Sequence, residues 1–395
     1  MGGPGGPGAG GPGSAGTGRP GAGWTGAAWT VRAAVRAFRR AHPWFGDRVC
    51  VGLSGGADSL ALLAAAVVEF DEVTALIVDH GLQENSAQVA RDAAAAARGL
   101  GAEAEILVVV VDPDGSGPEA AARTARYSAL DTARSDRPVL LAHTLDDQAE
   151  TVLLGLGRGS GARSLRGMAA WDAPWGRPLL GVRAADTRAA CRALGLTWWD
   201  DPHNLDPAFT RVRLRREVLP LLEDVLSGGV AEGLARTAEL LGVDDDELDR
   251  RAADAFAAAV VGGSGGGPGG GGDGGGAASG VGGDGGSGPD GAGALDVRAL
   301  EALPTAVLTR VIRRWLLAGG VASPTYAHLT GVAALVTDWR GQGGVAVGGA
   351  GEAAGGGGSR GRDGGPGGVR VTRLVARRRH GKVVLEIDGP SGAGS

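Results

Sequence analysis

The chain has 395 residues, of which 76 are glycine, and its formal net charge is −5. This length has room for two domains, although glycine-rich stretches cannot bury a core. No run approaches the ~20 apolar residues of a membrane span. The two cysteines, Cys50 and Cys191, are far apart and have no partner motif, which excludes a zinc ribbon, an iron–sulfur site and a disulfide scaffold. We therefore expect a cytoplasmic protein without membrane contact, in which any nucleic-acid-binding surface is local.

The first residues divide into a tail and a helix. Residues 1–23 consist almost wholly of Gly, Pro, Ala, Ser and Thr, which predicts a disordered tail without the apolar core of a signal peptide. Residues 24–41 carry apolar side chains at helical spacing with arginines around them. This pattern predicts an N-terminal helix whose arginines form a solvated face.

Residues 48–63 read RVCVGLSGGADSLALL and predict a buried strand, a glycine turn and a helix, in that order. Gly55 and Gly56 let the backbone approach an anion, and the N–H groups of the first helical turn point at it. The loop is too short for a G-x-x-x-x-G-K-[ST] motif and has no lysine. The SGGADS stretch resembles the pyrophosphate-binding loop of the N-type ATP pyrophosphatases. A glycine turn that only connects strand to helix is the alternative.

The resemblance implies that this loop binds ATP and that Asp58 also holds a magnesium ion against the phosphates. The implied ATP-binding residues of the loop are Ser54, Gly55, Gly56, Ala57, Asp58 and Ser59.

Residues 73–78 predict a second strand that ends in Asp79 and His80. In open α/β sheets, ligands bind at the carboxyl ends of strands, so we expect Asp79 to meet the nucleoside part of ATP. The alternative is that Asp79 caps the next turn and that His80 is a surface imidazole. A helix over 84–100 and a third strand over 104–111 follow.

Residues 118–135 predict a helix that carries Arg123, Arg126 and Tyr127. The two arginines are three residues apart and project from one face. They can bind phosphates of ATP or RNA. Arginines on a helix surface commonly do neither.

Residues 138–142 predict a fourth strand, which leads directly into HTLDDQAET. If a helix begins at Leu145, then Asp147 and Glu150 share one face, and His143 precedes it. Acidic residues also offset the dipole at a helix N-terminus, which is the structural explanation for Asp146. The cluster of His143, Asp147 and Glu150 can bind magnesium or the ammonium of an amine substrate, and it can accept the proton of an attacking amine. We favour this functional interpretation.

Residues 177–180 predict another strand and residues 187–194 a helix. Residues 209–216 alternate basic and apolar side chains. The arginines of this stretch, Arg211, Arg213 and Arg215 among them, can line a nucleic-acid groove, although a solvated charged surface is commoner.

The remaining third of the chain predicts a separate domain. Helices are expected over 230–241, 247–260 and 297–317, with an acidic junction at 244–249, and short strands over 345–347, 369–375 and 382–387. Residues 377–382 predict a basic turn. Glycine-rich inserts at 262–293 and 348–368 predict floppy loops.

These motifs occur in one order over most of the folded chain, and together they resemble the tRNA(Ile)-lysidine synthetase family. The resemblance implies an α/β fold with a doubly wound, mostly parallel PP-loop sheet in residues 24–222 and a smaller, mainly helical tRNA-contacting domain in residues 223–395. It implies that ATP adenylylates the wobble cytidine of an isoleucine tRNA with a CAU anticodon. The side-chain amine of L-lysine then displaces AMP. From the resemblance we also expect that a second C-terminal domain, present in longer family members, is missing.

The resemblance also implies residue roles. Arg123, His143, Asp147 and Glu150 would surround the lysine and the reacting cytosine, and Arg211 to Arg215 would face tRNA. The sequence departs from the family pattern at Gln83, where arginine is frequent, and at Thr144, where a second histidine is frequent.

Three alternative functions share parts of this pattern. A tRNA thiolase has the ATP loop but needs cysteine pairs that Cys50 and Cys191 do not supply. A small-molecule adenylylating synthetase has no use for a basic second domain. A non-enzymatic tRNA-binding protein would not need intact SGGADS and DDQAET stretches. No stretch predicts a protein partner.

Overall fold

The structure is a computed structural model that describes residues 24–81, 85–110, 118–159, 161–262, 292–349 and 373–388. The chain divides into two compact units, Met1–Val243 and Asp244–Ser395. The tail predicted at 1–23, Gln83 and nearly all of the two glycine-rich inserts lie outside the described residues.

The first unit is an α/β structure. Its strands are β1 Arg48–Gly52, β2 Glu72–Asp79, β3 Glu103–Val108, β4 Val139–Leu140, β5 Trp171–Asp172 and β6 Trp175–Gly176. Its helices are α1 Gly26–Ala41, α2 Ala57–Glu69, α3 Ser86–Gly99, α4 Pro118–Ala133, α5 Leu145–Arg158, α6 Ala162–Leu165, α7 Ala184–Ala193, α8 Thr210–Arg213 and α9 Leu219–Val225. Between α8 and α9, Leu214–Val218 forms a π-helical turn.

The six strands form one sheet in the order β3-β2-β1-β4-β6-β5. The sheet is parallel except for the β5–β6 pair, and Val51 of β1 lies opposite Ala75 of β2 and Leu140 of β4. Alternate residues of β1 reach opposite faces, as strand geometry requires. Val49 and Val51 pack on the face covered by α1, α2, α3 and α7, whereas Cys50 packs on the face covered by α4. Helices on both faces confirm the predicted doubly wound α/β class.

Two predicted features of the first unit are wrong. No strand forms over residues 177–180, of which 178–180 are a turn, and the adjacent strand is β6 instead. The arginines of α1 are not all solvated, because Arg32 and Arg36 pair with Glu69 of α2 at 2.6 and 3.0 Å. Their charges therefore neutralise a buried carboxylate rather than only facing water.

The second unit combines helices with an antiparallel sheet. Helix α10 Val230–Ala259 extends into it and is followed by α11 Val297–Leu300, α12 Thr305–Ala318 and α13 Tyr326–Thr337. The strands are β7 Val260–Val261, β8 Ala294–Asp296, β9 Val345–Gly349, β10 Arg373–Arg379 and β11 Lys382–Asp388, in the order β7-β8-β11-β10-β9.

The predictions for this region need three corrections. The acidic stretch at 244–249 is not a junction, because it is part of the continuous helix α10. Its Asp245 and Asp249, four residues apart on one face, both pair with Arg310 of α12. The helix predicted over 297–317 divides at Pro304, which cannot continue a helix. Helix α13 was not predicted.

The basic turn predicted at 377–382 is shorter than expected. Arg377 and Arg379 belong to β10 and pair with Glu386 of β11. Only His380 and Gly381, both at positive φ, form the turn. No helix in the described part of the chain is both long and apolar enough to cross a bilayer.

Candidate active site

The glycine loop joins β1 to α2 at the carboxyl end of the sheet. Gly55 has a φ of +82°, a left-handed conformation that favours glycine. Its carbonyl accepts a hydrogen bond from the Trp199 N–H at 3.0 Å. Helix α2 begins at Ala57, and no side chain caps its N-terminus. The N–H groups of its first turn are therefore available to an anion.

Two serine hydroxyls hold the loop in shape. The Ser59 hydroxyl donates to the Gly56 carbonyl at 3.0 Å and accepts from the Ser54 N–H at 3.2 Å. The Ser54 hydroxyl lies 3.1 Å from the Ser59 hydroxyl, and it accepts a hydrogen bond from the Gly56 N–H at 3.4 Å. Ser59 is buried, whereas Ser54 is exposed. Ser59 thus shapes the loop, and Ser54 is the hydroxyl that a ligand can reach.

Asp58 is fixed by a residue far along the chain. Its Oδ1 accepts a hydrogen bond from the hydroxyl of Thr187 on α7. Burial raises the pKa of the Asp58 carboxyl, the Thr187 hydrogen bond opposes this rise, and the charge of Asp147 adds to it. A cation beside Asp58 would favour its ionised form.

A magnesium ion fits this position. Magnesium is commonly held by one or two carboxylates together with substrate phosphates. Within the described ranges, no group of three or more His, Cys, Asp and Glu side chains is arranged to hold a metal. Asp58 could supply one carboxylate to a magnesium ion that is also bound by the phosphates of a ligand.

Helix α5 begins with a capping box. The Thr144 hydroxyl accepts from the Asp147 N–H, and Asp147 Oδ2 accepts from the Thr144 N–H at 2.8 Å. Asp146 Oδ2 accepts from the Ala184 N–H at 2.7 Å, and its Oδ1 pairs with Arg183 at 3.0 Å. Thr144 therefore has a structural role as the helix cap, and Asp146 ties α5 to α7.

Arg215 pairs with both carboxylates of α5 that the sequence singled out. Its Nη2 lies 2.9 Å from Asp147 Oδ1, and its Nε lies 2.5 Å from Glu150 Oε1. Glu150 is fully buried, and its Oε2 has no hydrogen-bond partner among the described residues. Burial raises the pKa of the Glu150 carboxyl, and the charge of Arg215 opposes that rise.

His143 is a neutral imidazole at pH 7. Burial lowers its pKa to about 4, and the charge of Asp147 only partly offsets this effect. Its Nδ1 is buried and has no hydrogen-bond partner within the part of the chain described. The ring can accept a proton, but it does not carry one at neutral pH.

The glycine loop and the start of α5 share one cavity of about 660 Å³. Its lining includes Ser54, Gly56, Ala57, Asp58, Ser59, Arg126, His143, Asp147, Trp199 and Arg215. A smaller cavity of about 270 Å³ lies at the end of β2 and is lined partly by apolar residues of β2, α3 and α4. Gly52, Ser54, Arg126, Trp199 and Asp201 line both cavities, so the two adjoin.

Asp79 and His80 line the smaller cavity. Asp79 Oδ1 also accepts from the Gly81 N–H at 3.0 Å, so this carboxylate caps the turn as well. His80 is not a simple surface imidazole, because its Nδ1 is buried, and burial lowers the pKa of the ring.

The structure does not bring every predicted residue to the cavities. Arg123 is exposed and stacks on Tyr127, with its guanidinium 4.8 Å from the ring centroid, and it lines neither cavity. Arg213 pairs with Glu217 of the same helical stretch. Arg215 turns toward the α5 carboxylates. A role for Arg211 and Arg213 in binding tRNA stays a prediction.

Sequence reasoning missed two residues that shape the site. Thr187 binds Asp58, and Trp199 lines both cavities and fixes Gly55. The sequence Trp198-Trp199-Asp200-Asp201 could have indicated a role for Trp199. Thr187 gives no local signal, because it lies in an ordinary amphipathic helix.

The fold and the site define a PP-loop ATP-binding domain, and residues 32–222 match the model of the PP-loop domain family. Residues 295–383 match the TilS substrate binding domain. Two proteins named tRNA(Ile)-lysidine synthase, from Nocardia farcinica and Mycobacterium tuberculosis H37Rv, are each 54% identical to this chain. The alignments span 90% of this chain and 97% and 96%, respectively, of those two proteins. The one from Rhodococcus erythropolis is 51% identical over 90% of this chain and 94% of its own. The chain belongs to the tRNA(Ile)-lysidine synthase family.

Proposed function

We propose that this chain ligates L-lysine to the wobble cytidine of an isoleucine tRNA with a CAU anticodon. The reaction consumes ATP, passes through an adenylylated tRNA and yields lysidine, AMP and pyrophosphate. One observation supports it above the others: an anion-binding loop at a helix N-terminus and an acidic helix start line the same cavity. The membership of the chain in the lysidine synthase family agrees with it.

ATP fits across the two adjoining cavities. The smaller one offers apolar surface for adenine, with Asp79 at its edge for the ribose. The pyrophosphate portion would then meet Ser54 and the first turn of α2. Magnesium, held by Asp58, would neutralise charge on the phosphate oxygens.

The chemistry requires two displacements. The C2 oxygen of cytosine attacks the α-phosphorus of ATP, and the bond to the bridging oxygen breaks with its electrons leaving on pyrophosphate. The adenylate is a good leaving group, so the neutral ε-amine of lysine can then attack C2 and release AMP. N–H dipoles at the start of α2 stabilise the departing pyrophosphate.

Lysine must lose a proton before or during its attack. His143 and Asp147 line the cavity, and Glu150 lies behind them in contact with Arg215. We assign the proton acceptor to this group of three. A carboxylate and a neutral imidazole also suit the ammonium of incoming lysine.

The tRNA would contact the basic stretch at Arg211 and Arg213 together with the second unit, which matches the substrate binding domain of the family. We expect this chain to act as an enzyme in the cytoplasm.

The decisive experiment incubates the full chain with ATP, lysine and a CAU-anticodon isoleucine tRNA transcript. We expect AMP release only when tRNA and lysine are both present, and a lysine added to the wobble cytidine in the mass spectrum of digested tRNA. Asp58→Ala should abolish pyrophosphate release and leave tRNA binding largely intact. Sulfur incorporation, AMP release without tRNA, or tRNA binding without turnover would each identify a different function.

A further inference from the structure

Arg126 of α4 is the cation at the junction of the two cavities, because it lines both of them. It forms no ion pair or hydrogen bond with any residue that the structure describes. This distinguishes it from Arg215, which pairs with two carboxylates, and from Arg123, which stacks on Tyr127 in solvent.

The surroundings of Arg126 do not compensate its charge. Burial lowers the pKa of its guanidinium, Tyr127 partly opposes this effect, and the charge of Arg123 lowers the pKa further. Its charge also depresses the pKa of His80 in the smaller cavity and of His143 in the larger one, so its field reaches into both. Arg126 is half-buried, so its charge is partly desolvated at a cost that a bound anion would remove.

We propose that Arg126 binds the α-phosphate of ATP, a role that rests on the proposed placement of ATP. If the adenosine part of ATP occupies the smaller cavity and its β- and γ-phosphates lie at the start of α2, then the α-phosphate between them lies at the junction of the cavities. Arg126 lines both cavities at this junction. Arg126 would stabilise the negative charge on the α-phosphate oxygens during attack by cytosine. It would hold the same group when AMP departs, so it is a catalytic residue.

The test compares adenosine with AMP, which differ only by the phosphate in question. Isothermal titration calorimetry on the full chain, without tRNA or lysine, measures both affinities and that of pyrophosphate. In the unsubstituted chain we expect AMP to bind at least tenfold more tightly than adenosine. Arg126→Met should weaken AMP binding by about tenfold to a hundredfold, the range of a charge-assisted contact, and change adenosine and pyrophosphate binding by less than about twofold.

Two further variants make the comparison specific. Arg126→Lys, which keeps a charge but loses the planar fork, should retain an intermediate preference for AMP. Arg91→Met removes an exposed arginine of α3 that lines neither cavity, and it should bind both ligands like the unsubstituted chain. Thermal unfolding followed by circular dichroism establishes that each variant is folded.

Several outcomes would overturn the assignment. They are an unchanged preference for AMP in Arg126→Met, an equal loss of adenosine and AMP binding, and a loss confined to tRNA binding, which would place an RNA phosphate at Arg126. No preference for AMP in the unsubstituted chain would overturn it even if the variants failed to fold. Failure of lysidine formation with the AMP preference intact would refute the proposed reaction and leave the role of Arg126 standing.

Discussion

The Nε of Arg215 donates to Oε1 of Glu150 at 2.5 Å, and this carboxylate has no exposed surface. The two residues are 65 positions apart, so the pair fixes the π-helical turn that carries Arg215 against α5. A buried carboxylate that loses its ion-pair partner destabilises the fold, because the charge must then be neutralised or stay unpaired.

Arg215→Met should therefore lower the free energy of unfolding of the first unit by about 3 kcal/mol, the lower end of the range for breaking buried pairs, since Arg215 is itself 43% exposed. Urea unfolding measures this loss. The double variant with Glu150→Gln no longer leaves an unpaired charge at position 150 and should be more stable than Arg215→Met alone. A double variant that is equally or less stable would contradict the pairing argument.

Thr187 is expected to position Asp58 for magnesium. Thr187→Val keeps the side-chain shape but removes the hydroxyl that donates to Asp58 Oδ1. Asp58 then loses its fixed orientation, so the magnesium concentration for half-maximal pyrophosphate release should rise several-fold. The free energy of unfolding should fall by about 1 kcal/mol.

Thr187→Ser restores the hydroxyl and should recover most of the magnesium affinity. If Thr187→Val reduces stability but leaves the magnesium dependence unchanged, then Thr187 has only a packing role.

Gly55 and Gly56 should respond differently to alanine, although they are adjacent. Gly55 has φ +82°, so Gly55→Ala should cost about 1–2 kcal/mol of stability through backbone strain. Gly56 has φ −75°, and a Cβ there would meet its nearest atom, Ser54 Oγ, at an ordinary 3.5 Å. Gly56→Ala should leave stability nearly unchanged but weaken pyrophosphate binding, because Gly56 lines the larger cavity.

Thermal unfolding and pyrophosphate titrations of the two variants test this contrast. Equal stability of the two variants would contradict the backbone-strain argument, and undiminished pyrophosphate binding by Gly56→Ala would show that the phosphates do not lie at this turn.

His143 predicts a pH dependence of stability. Its pKa in the folded chain is about 4, below the ordinary value of 6.5, so between these values the unfolded chain binds the extra proton and the folded chain does not. The contribution of His143 is therefore fully present above pH 6.5 and is lost as pH falls toward 4. His143→Gln should reduce the loss of stability over this window, as measured by urea unfolding at pH 7.0, 5.5 and 4.5.

An NMR titration of the His143 ring checks the same point directly. Its resonances should not shift between pH 7.5 and 5.5. A midpoint near 6.5 would contradict the burial argument.

Much of the site could be predicted because its chemistry depends on short-range features. A strand followed by two glycines and a helix specifies an anion site wherever it occurs, and the parallel order of β1 and β4 places the ends of both strands at one edge of the sheet. The glycine loop and the start of α5 therefore had to be neighbours. The predicted division of α10 failed, because Asp245 and Asp249 pair with Arg310 of α12. The predicted strand at 177–180 failed, because pairing of β4 with the next strand ends at Gly176.

By itself the sequence determined the doubly wound α/β class, the phosphate loop and the acidic start of α5, since each follows from neighbouring residues and backbone preference. Only the tertiary structure decided which charges are compensated. Thr187 reaches Asp58 across 129 positions, Arg215 neutralises Glu150, and Arg126 has no described partner, although all three look alike as polar residues on helices. Hydrogen bonds and ion pairs between distant residues depend on which faces of the helices and strands pack against one another. The local sequence pattern does not specify this packing.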